Sequence, residues 1–193
     1  MLDRYGRKID YLRVSVTDLC NLRCIYCMPP GGVAKKERQE LLTFEEIENI
    51  VRAAARLGIE KVRITGGEPL VRKGIVELVA RLARIEGIRD LSMTTNGILL
   101  KDYAVPLKEA GLKRVNVSLD TLDPDKYRRI TRGGDLNRVL AGLEAARAAG
   151  LTPLKINVVL AGGINDDEIE AFVNLTLEQE VQVRFIELMP IGE

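Results

Sequence analysis

Apolar and polar positions along this chain change period repeatedly. Short runs that alternate every second residue give way to stretches with apolar residues at helical spacing, and several of these close on a glycine. The alternating runs predict strands over residues 12–17, 61–65, 91–95, 114–119, 154–160 and 181–186. Thr43 and Glu46 make a capping box that opens a helix. Ile47, Ile50, Val51, Ala54 and Leu57 follow at helical spacing, and Gly58 ends it. A second helix, over about 73–84, carries Ile75, Leu78, Val79 and Leu82 on one face. Further helices are predicted over 101–110, 136–149 and 166–178, the last with Asn165 at its cap. Residues 29–39, rich in proline, glycine and charge, read as a mobile loop.

Strands alternating with helices across short loops argue for a parallel sheet with right-handed crossovers, either an open doubly wound sheet or an incomplete barrel. Buried parallel strands are usually apolar throughout, but several here are not. Leu12, Val14 and Val16 oppose Arg13, Ser15 and Thr17; Val62 and Ile64 oppose Arg63 and Thr65. Val115, Val117 and Leu119 oppose Asn116, Ser118 and Asp120; Leu154, Ile156 and Val158 oppose Lys155 and Asn157. The apolar parity packs under helices. The polar parity faces either bulk solvent or the lumen of a curved sheet, and the intervening helices argue for the lumen. Burying Arg13, Arg63 and Lys155 there unpaired would cost on the order of several kcal/mol each, which a bound anion offsets. The expectation is a lumen that holds a large, polar, anionic ligand.

Length and charge narrow the partners. The chain has 193 residues, 46% of them hydrophobic, enough for one domain with a sizeable core. A net charge of +1, from 29 Lys and Arg against 28 Asp and Glu, gives no reason to expect nucleic acid or an anionic membrane. No run is long and apolar enough to span a bilayer and residues 1–10 lack an apolar signal region, so a cytoplasmic protein is expected. Histidine is absent, which removes imidazole zinc sites, Ser-His-Asp triads and Cys-His pairs within this chain.

All the cysteines lie just after the first strand, as Cys20-x3-Cys24-x2-Cys27. A structural zinc knuckle would want a fourth ligand from a carboxylate, water or another chain. A redox pair of Cys24 and Cys27 would leave Cys20 idle. An iron–sulfur cluster held by three thiolates would keep one iron open for a small molecule, and the odd count favours this reading.

With Tyr26 before the last cysteine, this motif resembles that of the radical S-adenosylmethionine (SAM) superfamily, and Gly66-Gly67-Glu68-Pro69 resembles its GGEP motif, which meets the SAM amino group. Taken alone, the latter would be an ordinary strand-to-helix turn. Within the superfamily, residues 13–20, 63–70, 94–97, 116–120, 155–159 and 185–190 resemble the N-terminal portion of the GTP 3',8-cyclase family of molybdenum cofactor biosynthesis. The resemblance implies an α/β fold, an incomplete (βα)6 TIM-like barrel of parallel strands with outer helices, with residues 1–193 as a single radical SAM core domain. It implies a 4Fe–4S cluster on Cys20, Cys24 and Cys27, SAM contacts at Tyr26, Gly67, Ser118 and Met189, and GTP contacts at Arg13, Arg63, Thr94 and Lys155. The implied reaction is that of a lyase: a 5'-deoxyadenosyl radical takes a hydrogen from the ribose C3' of GTP, and the carbon radical closes on C8 to give 3',8-cyclo-7,8-dihydro-GTP. A reductant or electron-donor protein is implied as partner, and a homodimer is compatible. The family's second cysteine triplet and terminal glycine pair have no counterpart here, so a fragment holding the radical-generating half, with an apolar seam, is expected. The alternatives are a radical SAM enzyme with another substrate and a non-catalytic iron–sulfur or zinc module.

Overall fold

The structure, a computed structural model, describes residues 2–33 and 40–188. Six strands form one parallel sheet: β1 (Tyr11–Ser15), β2 (Lys61–Thr65), β3 (Asp90–Thr95), β4 (Arg114–Ser118), β5 (Leu154–Leu160) and β6 (Val181–Glu187). Their order in the sheet is their order in the chain. A doubly wound sheet reverses direction partway, whereas a strictly sequential order winds one way and keeps its helices on one face. The fold is an incomplete TIM-like barrel.

The helices are α1 (Phe44–Arg56), α2 (Ile75–Ala83), α3 (Leu100–Glu109), α4 (Pro124–Thr131), α5 (Leu136–Ala148) and α6 (Ile169–Glu178). The capping box of α1 forms as expected: Glu46 N–H donates to Thr43 Oγ1 at 3.2 Å, and Thr43 N–H to Glu46 Oε2 at 2.7 Å. Gly58 takes a φ of 96° just past the helix, as a left-handed stop requires. The buried stripe of α1 is narrower than its periodicity suggests, because Ile47 and Val51 are buried while Ile50 and Leu57 face out. The core joins helix residues such as Val51, Leu78, Leu107, Val139 and Phe172 to the apolar strand parity, with Val62, Ile64, Val115, Val117, Leu154, Ile156 and Val158 fully buried.

The structure corrects the sequence reading at several points. β1 ends at Ser15, two residues short of the expected strand, although Val16 N–H still donates to Thr65 O at 2.8 Å. A 3-10 turn over Pro69–Val71 precedes α2, which starts at Ile75. The first turn of the helix expected over 166–178 is 3-10, and Asn165 does not cap it. The periodicity predicts no helix where α4 forms, although Asp123 caps it by accepting from Asp125 N–H and Lys126 N–H at 2.8 Å, with Pro124 in the first turn. Residues 34–39 of the expected loop lie outside the described residues.

Candidate functional site

The cysteine loop leaves the C-terminal end of β1 and is braced from two sides. On the sheet side, Gly67 N–H donates to Thr17 O at 2.7 Å and Glu68 N–H to Leu19 O at 2.8 Å. Glycine permits this approach: a Cβ on Gly67 would stand 2.4 Å from Leu19 O and 2.6 Å from Asp18 O. The turn after β2 is therefore an abutment for the cysteine loop as well as a connection.

The Glu68 carboxylate is fully buried and fully used. Oε1 accepts from Leu70 N–H at 3.0 Å and from the Thr95 hydroxyl at 2.8 Å; Oε2 accepts from Asn96 N–H at 2.7 Å. Burial pushes its pKa up and these donors pull it back. Glu68 thus ties the end of β2 to the end of β3, where Asn96 Nδ2 reaches Asn21 Oδ1 at 2.8 Å and Cys20 Sγ at 3.7 Å.

On the outer side stands α4. A helix leaves its last carbonyls without internal partners, and the cysteine loop takes two of them: Arg23 N–H donates to Thr131 O at 3.1 Å and Ile25 N–H to Ile130 O at 2.9 Å. Arg132, at a φ of 54°, is the one non-glycine residue with a positive φ among the described residues. That conformation costs roughly 1–2 kcal/mol. Its guanidinium donates to Arg23 O at 2.9 Å and Met28 O at 2.8 Å, closing the loop from outside.

Within the loop, Leu22 N–H donates to Cys20 Sγ at 3.4 Å, and Cys27 N–H and Met28 N–H donate to Cys24 O at 2.9 and 3.2 Å. Cys20 and Cys24 are half-buried and Cys27 is exposed. Burial pushes the Cys20 thiol up, and burial with the Asp120 carboxylate pushes Cys24 up to about 12. A thiolate in that place wants a bound cation to neutralise it, and N–H donors on its sulfur suit a metal-bound cysteine. Among the described residues no three Cys, Asp or Glu side chains converge on one ion-sized point. A cubane asks for a different arrangement, one thiolate per iron, and three soft donors on one short loop fit it.

Tyr26 is pinned by its hydroxyl, which donates to Asp120 Oδ2 just beyond β4. Asp120 Oδ1 accepts from Val159 N–H at 2.9 Å, and burial pushes the Asp120 pKa up. Asn165, instead of capping a helix, locks the same corner: Nδ2 donates to Asp120 O at 2.7 Å and Val159 O at 2.8 Å, while Oδ1 accepts from Ala161 N–H at 2.8 Å. The Tyr26 ring stays partly open.

Below this rim lies the polar strand parity. Register aligns Arg13 with Arg63 and Ser92, and Ser92 with Arg114. One rung further along, Thr94 aligns with Asn116, Lys155 and Gln182; next come Ser118, Asn157 and Arg184. Arg13, Arg63, Thr94, Ser118 and Lys155 thus share one face with Arg114 and Arg184, two cations the sequence reading does not single out. Arg114 pairs with Asp90 at 2.6 Å. With its amide oxygen turned inward, Asn116 accepts from Arg63 at 3.1 and 3.2 Å. Arg13, Lys155 and Arg184 make no hydrogen bond or ion pair among the described residues. Burial, then Arg184, Arg114 and Arg63, hold the Lys155 pKa below the usual lysine value. Burial also lowers Arg63, with Arg114, Arg13 and Arg184 adding to it. The burial expected of the three cations is only partial: Arg63 and Lys155 are half-buried, and Arg13 on the edge strand is exposed. Met189 lies outside the described residues.

The sequence profile of the radical SAM superfamily matches residues 14–176. A GTP 3',8-cyclase of Alkaliphilus oremlandii is 63% identical over the whole chain, and those of Petrotoga mobilis and Clostridium botulinum are 58% and 56% identical. The chain spans 60% of the length of each of these relatives. Among solved structures, Streptococcus suis SuiB bound to S-adenosylmethionine superposes with a TM-score of 0.76 over 95% of this chain and 40% of that one, at 22% identity. Methylornithine synthase (PylB) gives 0.73 over 93% and 53%, at 19% identity. At such identities the likeness is one of fold.

Proposed function

This chain belongs to the radical SAM superfamily, and on that premise we propose that it carries the radical-generating and triphosphate-holding portion of a GTP 3',8-cyclase of molybdenum cofactor biosynthesis. Residues 1–193 act as one core domain in a cytoplasmic enzyme supplied with electrons by a reductant or donor protein. Cys20, Cys24 and Cys27 hold a 4Fe–4S cluster, and Tyr26, Gly67, Ser118 and Met189 contact SAM. When bound, the two together supply a 5'-deoxyadenosyl radical.

The chain's own residues hold, orient and exclude. Gly67 and Glu68 set the height of the cysteine loop against the sheet. Asp120 and Asn165 fix the Tyr26 ring at the mouth. Arg13, Arg63, Thr94 and Lys155, with Arg184, draw an anionic substrate into the lumen beneath it, where a guanidinium can grip phosphate in bidentate fashion. With the cofactors bound, a substrate held this way would present its C–H to them in place of solvent.

One observation carries this reading: cations lacking anionic partners face the lumen whose mouth holds the cysteines. The test is reconstitution with iron and sulfide without oxygen, followed by dithionite and SAM. The cluster's electron paramagnetic resonance (EPR) signal should change on adding SAM, and 5'-deoxyadenosine release should rise with GTP. A signal indifferent to SAM contradicts the family chemistry, and release indifferent to GTP contradicts the substrate.

A further inference from the structure

Resting on that reading, we propose that Asn96 tunes the cluster through Cys20, its side-chain amide donating a hydrogen bond to that cysteine's sulfur. The orientation of the amide is fixed from the other side. Asn96 Oδ1 accepts from Ile98 N–H at 3.1 Å, so Nδ2 must turn to the cysteine loop. There one N–H goes to Asn21 Oδ1 at 2.8 Å and the other points to Cys20 Sγ at 3.7 Å, a length suited to the large, diffuse acceptor that sulfur is. The backbone is held as firmly. Asn96 N–H donates at 2.7 Å to Glu68, whose carboxylate is buried and saturated.

The donors are distributed unevenly. Cys20 Sγ receives both Asn96 Nδ2 and the Leu22 N–H, whereas the sulfurs of Cys24 and Cys27 receive no side-chain donor among the described residues. An N–H directed at a cysteinyl sulfur draws negative charge from the cluster and stabilises the reduced, more anionic state. With a cluster bound, the amide would raise its midpoint potential above the value it would have without that N–H.

The test is an EPR-monitored redox titration of the reconstituted holoprotein, wild type against Asn96→Ala, Asn96→Ser and Asn96→Asp, with Asn21→Ala as control. Thermal melts by circular dichroism identify variants that keep the fold. Asn96→Ala should shift the midpoint to more negative potential. Asn96→Asp, which retains the acceptor for Ile98 but turns a carboxylate oxygen to the sulfur, should shift it further. Asn96→Ser, with a short donor, should fall between wild type and Asn96→Ala. Asn21→Ala, which removes the amide's other acceptor but keeps its N–H beside Cys20 Sγ, should move the midpoint less than Asn96→Ala. Unchanged midpoints in the folded Asn96 variants would overturn the proposal, as would an equal shift in Asn21→Ala, which would reduce Asn96 to an anchor for the loop. Either result leaves the SAM-induced EPR change of the wild type intact, whereas loss of that change in the wild type would strike the radical SAM reading itself.

Discussion

The rim and the lumen of this barrel treat their polar groups in opposite ways. At the rim, Glu68 satisfies three donors, Asp120 two, Asn165 three groups and Arg132 two carbonyls, and each of the four reaches at least one segment distant in sequence. In the lumen below, exposed Arg13 and Arg184 and half-buried Lys155 have neither hydrogen bond nor ion pair among the described residues, and burial, with the neighbouring arginines, lowers the pKa of Lys155 and Arg63. Saturated buried polar groups rigidify a structure, while uncompensated charges are costly until something arrives to pair with them. The rim is thus built in advance around the cysteine loop, whereas the lumen, on the function proposed above, is held ready for an anion.

The largest effect should come from breaking the rim. Glu68→Ala strands Leu70 N–H, Asn96 N–H and the Thr95 hydroxyl, at about 4 kcal/mol for three orphaned donors. A denaturant titration should show that loss, with iron content after reconstitution falling alongside. Gly67→Ala comes next: its Cβ would drive Leu19 O away, at about 2–3 kcal/mol of overpacking, measured in the same way. Lumen changes should do the reverse. Arg63→Ala and Lys155→Ala should each weaken GTP binding by about ten- to a hundred-fold, the worth of one or two charged hydrogen bonds, while the melt moves little.

The smallest effect concerns pH. Lys155 titrates below its ordinary value in the fold, because burial and the neighbouring arginines penalise its charge. Near neutral pH both folded and unfolded chains carry that charge and the folded one bears the penalty. As pH rises through the depressed pKa the fold sheds the proton first, so stability should rise with pH until the unfolded lysine titrates as well. A pH series of melts without GTP should show this rise in the wild type and a flatter profile in Lys155→Met.

The sequence exposes the lumen better than the rim. Strand parity needs only period-two alternation, and that alone puts Arg13, Arg63, Ser118 and Lys155 on one face. The same rule reaches Arg184 and Arg114, since each sits on the polar parity of its strand. Arg114 opens β4 and Arg184 lies two residues past Gln182 in β6, and both stand just outside the stretches that resemble the family. Whether the sheet winds one way or two depends on strand order, which periodicity does not encode. The rim is largely illegible. Tyr26 with Asp120, Glu68 with Asn96 and Arg132 with the cysteine loop are contacts between distant segments with no local signature. α4 is short and highly charged, and its buried face amounts to Tyr127, Ile130 and Thr131, too few for a periodic signal. Its Asp123-Pro124 start is the cue that could reveal it.

The most direct test of this division is calorimetric titration of GTP, inorganic triphosphate and guanosine into oxygen-free protein, with and without its cluster. A lumen held ready for an anion predicts that GTP and triphosphate bind, that guanosine does not, and that Arg63→Ala removes most of the heat in either cluster state. Guanosine binding as tightly as GTP, or triphosphate binding that survives Arg63→Ala unchanged, would contradict the account.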